Sequence, residues 1–503
     1  MKKFERFAIS VLVSCAVFIT AYWALAGSNY AIGIDGYYYA AQIRSYLEKG
    51  RFFASDSSWV LYAMAYFSRL GTDIVVMNKV FVATASVAFF WSAHSLLQIV
   101  TGRLSSLLFA ALLLLGSYLQ FCRTNFIKNF IGLVFFTFFL KQVLQRLRTV
   151  PHMPGDRRTQ LLAAVAFFGC LVSHTQTAFL ALTTGVVYFA FVLRAKTLTD
   201  RGVRKIWLWG AAIMGGVLLL LLYRNRARFS ALAWSDLFHP SLFPLQLAEL
   251  NPGSARLAVE AFVLMAINGV FLFRYVWRLV YEKIADPVET IIAVLLIVTA
   301  NPFYAANEAQ WGFRLHLVSI VPSALALALL LPHRLTQLTG RLPALASYAA
   351  VLGLIALSYR QLQYNMRLSQ IDYAEVTAAV EKLALPDRHL LIAHQGFDYF
   401  YCYSRKGDAF HYLAEDKHRG REVFRILHGF PSGSLKDVQF TMPPLKLTRN
   451  YTLISETDFP KITAKLSLLE KKLLLTYRNP TAERDLFLRQ RDRERSYQFQ
   501  KLR

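Results

Sequence analysis

The feature that most constrains this chain is a series of eleven apolar runs, the first of which, Phe7 to Ala26, holds twenty residues without a charge. Hydrocarbon offers no partner to a backbone N–H or C=O, so such a run must be helical, and ~20 residues rising ~1.5 Å each cross ~30 Å of it. The others are Val80 to Val100, Leu104 to Phe121, Phe130 to Leu140, Leu161 to Ser173, Thr177 to Leu193, Ile206 to Leu222, Leu257 to Phe273, Val288 to Ala300, Leu315 to Leu331 and Leu342 to Leu357. Several are shorter than a full crossing, so their ends must take in polar residues or stand in water-filled space. With 55% hydrophobic and 17% charged residues the chain falls among membrane proteins, not among strings of soluble domains. The expected fold is an all-α multi-pass membrane domain of about eleven transmembrane helices over residues 1–360, then a small α/β soluble domain over 361–503.

Charge sets the orientation. With a cytoplasmic N-terminus, the inside loops are Arg103, Lys141 to Arg158, Arg194 to Lys205, Arg274 to Lys283 and His333 to Arg341, all of them basic. The first run ends in Ala24-Leu25-Ala26, small residues of the kind a signal peptidase cuts, but its length suits a retained span. The opposite face carries a long first loop over residues 27–79, shorter connections, and everything after Tyr359. There Arg123, Lys128, Arg224, Arg226, Arg228 and Arg314 lie against the insertion bias. Singly, each reads as a long side chain snorkelling to the interface; together they read as a holder for something anionic.

Beyond Asp372 the periodicity becomes globular: Tyr373 to Leu385 reads as an amphipathic helix, His389 to Ala393 and Tyr451 to Ser455 as strands, and Pro431 to Gly433 as a turn. The last forty residues read as a basic helical surface facing solvent or headgroups, not nucleic acid. Four cysteines, Cys15, Cys122, Cys170 and Cys402, lie too far apart for a disulfide framework or a metal pattern.

The chemistry-bearing segment is Gly33-Ile34-Asp35-Gly36-Tyr37-Tyr38-Tyr39, just past the first run and followed by the helical Ala40 to Gly50. An Asp-Gly turn with an interfacial tyrosine belt explains it structurally; an acid poised to meet a polar group at the bilayer surface explains it chemically. His174, at the turn between two short runs, either bonds a neighbouring helix or binds an anion. Glu308, in Asn307-Glu308-Ala309-Gln310, reads either as a second acidic residue of the site or as an ordinary exposed loop glutamate.

Asp-x-Tyr-Tyr after the first helix, followed by a helix bearing Arg44, resembles the first external loop of the GT-C glycosyltransferases, in particular oligosaccharyltransferase catalytic subunits. The layout over the first two thirds of the chain is similar; the motif itself covers only Asp35 to Tyr39. The resemblance implies transfer of a sugar from a polyprenyl phosphate or diphosphate at the outer membrane face. It implies Asp35 as the base, Arg314, Arg123, Lys128, Arg226, Arg228 and His174 at the donor phosphate, and Tyr37, Tyr38 and Glu308 at the substrate. The chain departs from that family at Asn125, where an acid is expected, and Gly396-Phe397-Asp398-Tyr399 is only distantly similar to its Trp-Trp-Asp-Tyr-Gly segment. No cofactor is assigned: the resemblance leaves room for Mg or Mn, but no set of several carboxylates stands out as metal ligands. The expected partners are the lipid-linked donor and membrane lipid, with no nucleic acid, and the expected location is the bacterial inner membrane, with the C-terminal domain outside. A flippase or transporter of lipid-linked sugar or another anion, and a non-catalytic scaffold subunit of the same fold, stay open; no internal repeat marks a transporter.

Overall fold

The computed structural model describes residues 3–33, 35–53, 58–71, 73–148, 157–194, 238–250, 255–306, 311–332, 341–369, 373–387, 389–393, 396–404, 408–410, 420–428, 438–448, 451–459 and 461. The chain is a multi-pass membrane protein, helical over most of these residues. Six helices are long and apolar enough to cross a bilayer, a bent pair adds a seventh, and three shorter apolar helices match the runs at Leu161, Thr177 and Val288. The remaining run, Ile206 to Leu222, lies outside the described residues, as do the Pro431 to Gly433 turn and the basic C-terminal segment.

In chain order the bundle comprises α1 (Lys3–Ala26), α2 (Gly36–Lys49) and α3 (Trp59–Ser68) of the first loop, α4 (Ile74–Leu97), α5 (Arg103–Leu115), α6 (Ser117–Asn125), α7 (Ile127–Arg148), α8 (Arg157–Ser173) and α9 (Thr175–Arg194). After residues not described come α10 (Phe243–Leu250), α11 (Ala255–Trp277), α12 (Pro287–Thr299), α13 (Trp311–Val318), α14 (Ile320–Leu330) and α15 (Arg341–Ser369), which runs through position 360. Aspartates start two of them: Asp73 accepts from Val75 and Val76 N–H at 2.7 and 3.1 Å, and Asp286 from Val288 and Glu289 N–H at 2.8 and 3.0 Å, with Pro287 in the first turn. Where α7 packs on α9 a glycine makes room: a Cβ at Gly132 of α7 would stand 2.3 Å from Thr177 Oγ1 of α9.

The run Leu104 to Phe121, read from sequence as one span, is instead two helices bent by 58°. Gly116 between them leaves the helical region at φ −56°, ψ 129°. The orphaned N–H groups of the new helix are taken up by a carboxylate from elsewhere in the bundle, Glu260 of α11: Ser117 N–H donates to it, and Tyr118 N–H does so at 3.3 Å.

The C-terminal unit begins with α16 (Ala374–Glu381), shorter than the helix expected from Tyr373 to Leu385. It contains β1 (His389–Ile392), α17 (Phe397–Tyr403), β2 (Asp408–Phe410), β3 (Glu422–His428), β4 (Leu445–Thr448) and β5 (Tyr451–Ser455). The five strands form a mixed sheet in the order β2-β1-β3-β5-β4; β1 is parallel to β2 and β3, and β5 is antiparallel to β3 and β4. Its core is shared with the first loop. Tyr37, Ala40 and Val75 are buried in one apolar cluster with Leu391, Phe397, Ile426 and Leu453. Tyr37 meets Phe400 edge-on at 4.7 Å, while Arg44 lies 4.1 Å over the Tyr403 ring and donates to the Tyr403 carbonyl. Burial raises the Tyr403 phenol above its ordinary value, with Arg44 pulling the other way, so the phenol stays protonated at neutral pH.

Candidate functional site

Asp35 stands at the start of α2, two residues after Gly33, whose φ of +66° is a left-handed conformation that costs glycine nothing. The loop there lies directly on the end of α6. A Cβ at residue 33 would fall 1.8 Å from the Thr124 carbonyl oxygen and 2.9 Å from Asn125 Oδ1, so only hydrogen fits. The Asp35 backbone carbonyl opens α2 by accepting from Tyr39 N–H at 3.1 Å, but the half-buried carboxylate makes no capping hydrogen bond. An aspartate at this position ordinarily spends its side chain on the first turn.

The segment from Thr124 to Lys128, where α6 gives way to α7, is the hub of the site. Lys128 Nζ stands 5.7 Å from the centre of the Tyr38 ring, and Tyr38 meets Tyr399 of α17 at 5.1 Å. From the other side the Arg314 guanidinium lies 4.6 Å over the Phe126 ring, and Phe121 packs against Phe126 at 5.6 Å and against Phe313 at 5.4 Å. Both cations thus hold their charged ends against aromatic faces and are partly exposed. Three separate parts of the chain meet at this hub: the Asp35 loop, the α6–α7 junction and α13. Beside an apolar bundle, fixed cations of this kind act on a phosphate far more strongly than they would in bulk water.

No protein-family model matches the sequence, and no curated protein matches it. Solved structures do. ArnT from Cupriavidus metallidurans, determined with undecaprenyl phosphate bound, superposes over 90% of this chain and 98% of its own with a TM-score of 0.56 at 11% identity. The oligosaccharyltransferase of Archaeoglobus fulgidus, tethered to an acceptor peptide containing an NVT sequon, superposes over 85% of this chain and 69% of its own at a TM-score of 0.50 and 11% identity. This chain has the GT-C fold.

Within the GT-C fold the remaining sequence candidates fall in different places. Tyr37 is buried against Phe400 and Tyr403, in the interface with the C-terminal unit. Arg123 is inside the bundle at 1% exposure, with Nη1 donating to Gln120 Oε1 at 3.2 Å, so it is not brought to the hub surface. His174 opens α9, its carbonyl accepting from Ala178 N–H at 3.0 Å. The neighbouring Ser173 is held by first-loop residues: Ser58 Oγ donates to its carbonyl at 2.9 Å, and Trp59 Nε1 to its hydroxyl at 3.0 Å. Arg226, Arg228 and Glu308 lie outside the described residues.

Among the described residues no group of three or more His, Cys, Asp or Glu side chains could hold a metal ion. The α6 groups against which Gly33 rests are the Thr124 carbonyl and the amide of Asn125, not a second carboxylate. Among the described residues this donor set lacks the several carboxylates that hold a divalent cation, and the steps below use side chains alone.

Sequence reasoning missed the part that Gln246 of α10 takes. Its Nε2 donates to the Ser241 and Tyr304 carbonyls at 2.7 and 3.0 Å, and its Oε1 accepts from Ala306 N–H at 2.9 Å, tying down the segment that leads to Arg314. A glutamine in an ordinary short helix carries no sequence signal of such a role.

Proposed function

We propose that this protein transfers a sugar from a polyprenyl-phosphate or diphosphate donor to an acceptor at the outer face of the membrane, with Asp35 as the base. The polyprenyl tail lies along the apolar helices, and the donor phosphate is met by Arg314 and Lys128. The acceptor O–H or N–H gives its proton to the Asp35 carboxylate as the nucleophile bonds to the anomeric carbon. The bond from that carbon to the lipid phosphate oxygen breaks, the phosphate leaves with the electron pair, and the anomeric centre is inverted. Arginine suits this leaving group because its planar fork holds two phosphate oxygens at once. Tyr38, held between Lys128 and Tyr399, is the tyrosine of the motif that faces the sugar in this reading. A cytoplasmic N-terminus and a bacterial inner-membrane location agree with the basic loops on the far face and with a lipid-linked donor.

The observation that carries this reading is the docking of Gly33 on Thr124 and Asn125, with Asp35 two residues on, its carboxylate unused by α2, and with Lys128 and Arg314 on the same hub. ArnT, alike in fold over nearly its whole length, was solved with undecaprenyl phosphate, the kind of lipid phosphate that a donor of the proposed class releases. The test is transfer by the purified protein in liposomes from a panel of labelled polyprenyl-phosphate sugars, with a chelator in parallel. Transfer from at least one donor is expected. Movement of lipid-linked sugar across the bilayer without transfer would replace this reading with a carrier.

A further inference from the structure

Glu260 is the one carboxylate described within the long apolar helix Arg256–Glu282 before its last turn, and the proposed chemistry does not use it. Its two oxygens are committed to the start of α6, one to Ser117 N–H and the other to Tyr118 N–H. Gly116 completes the joint: a Cβ there would stand 3.1 Å from Glu260 Oε1, so the carboxylate occupies the space a side chain at 116 would need. A carboxylate at a helix N-terminus is favourable through both its hydrogen bonds and the helix dipole, and more so away from water.

From that joint, α6 spans to both halves of the site. Tyr118 in its first turn shares a 2.9 Å hydrogen bond with His316 Nδ1, on the helix that carries Arg314. His316 in turn stacks on Phe243 at 3.9 Å with the rings 5° from parallel. Gln120 Nε2 donates back across the bend to the Leu114 carbonyl. At the far end, Thr124 and Asn125 form the surface on which Gly33 rests. A nine-residue helix therefore links a buried carboxylate, the helix of a phosphate-binding arginine and the loop of the base.

We propose that Glu260 is a positioning residue: by fixing the start of α6 it sets where the Asp35 loop sits relative to Arg314. This rests on the proposed function for its catalytic consequence but not for its structural one, and the experiment separates the two. Full-length Glu260→Leu, Glu260→Gln and wild type are compared in detergent by limited trypsin digestion and in liposomes by sugar transfer. Arg51, exposed beyond α2 in the first loop, reports loop release; Lys283, exposed beyond α11, reports general loosening.

In Glu260→Leu, cleavage after Arg51 is expected to speed up severalfold with cleavage after Lys283 unchanged, and kcat to fall about tenfold or more with less change in KM, as for a misplaced reacting group. Glu260→Gln, which keeps one acceptor oxygen, is expected to recover most of both. Equal acceleration at the two cleavage sites, or none at Arg51, would overturn the inference whatever the transfer assay reads. Selective release at Arg51 in a protein that transfers no sugar at all would uphold the positioning and count against the proposed function instead.

Discussion

Asp458, in the C-terminal unit, is fully buried with its acceptor capacity taken up, whereas Asp35, in the first loop, is half-exposed and declines a bond its position offers. The Asp458 carboxylate accepts from Thr441 N–H at 2.9 Å, Met442 N–H at 3.3 Å, Ser455 Oγ at 2.7 Å and Lys461 Nζ at 3.0 Å. Burial alone would push its carboxyl up, but these bonds outweigh it and hold the group well below the usual carboxylate range. Nothing is left over for a ligand. The contrast separates an acid that builds the fold from one that remains available to a proton or a substrate, although both stand among hydrogen-bonding backbone.

The sharpest way to break the contrast short of removing Asp35 is to displace the loop beneath it. Gly33→Val would force a β-branched residue into positive φ and against the Thr124 carbonyl, and transfer is expected to fall roughly a hundredfold in the liposome assay while the C-terminal unit stays folded. Asp458→Asn is the converse: unfolding of the C-terminal unit, followed by denaturant-dependent proteolysis, should become easier by about 2 kcal/mol, with transfer per folded molecule unchanged. The pH dependence follows with its sign. Because the folded state holds the Asp458 carboxyl below its unfolded value, the stabilisation is complete above the unfolded pKa of about 4 and is lost as pH falls toward the folded one, so wild type should weaken on acidification more steeply than Asp458→Asn.

A smaller effect is expected from Arg314→Ala: KM for the lipid donor rises roughly tenfold, and Arg314→Lys, which keeps the charge without the fork, falls between. Least of all is Arg44→Ala, which removes the ring contact and backbone hydrogen bond tying the first loop to Tyr403. It should destabilise that interface by about 1 kcal/mol, read as faster trypsin cleavage after Arg51.

How much of this was legible in the sequence follows from the range of each interaction. The apolar runs were legible because the need to satisfy every backbone group in hydrocarbon is local, and ten of the eleven appear as helices among the described residues. The bend at Gly116 was not, since the carboxylate that makes it tolerable comes from a residue 143 positions away. In the C-terminal unit, the short apolar segments His389 to Ala393 and Tyr451 to Ser455 read as strands and correspond to β1 and β5. The central strand Glu422–His428 was missed, because Arg425 interrupts it and is buried with a two-bond pair to Glu456 at 2.7 Å and the Phe459 ring at 3.8 Å. At the hub, the residue types of Asp35, Lys128 and Arg314 drew attention from sequence, but their meeting through Phe126, Tyr38 and the bare backbone of Gly33 needed the fold.

The most direct test of the central claim measures donor retention and sugar transfer in the same liposomes for wild type and Asp35→Asn. Asp35→Asn is expected to retain the labelled polyprenyl-phosphate sugar as wild type does while transfer drops by a factor of about 100 or more. Transfer at the wild-type rate by Asp35→Asn would contradict it.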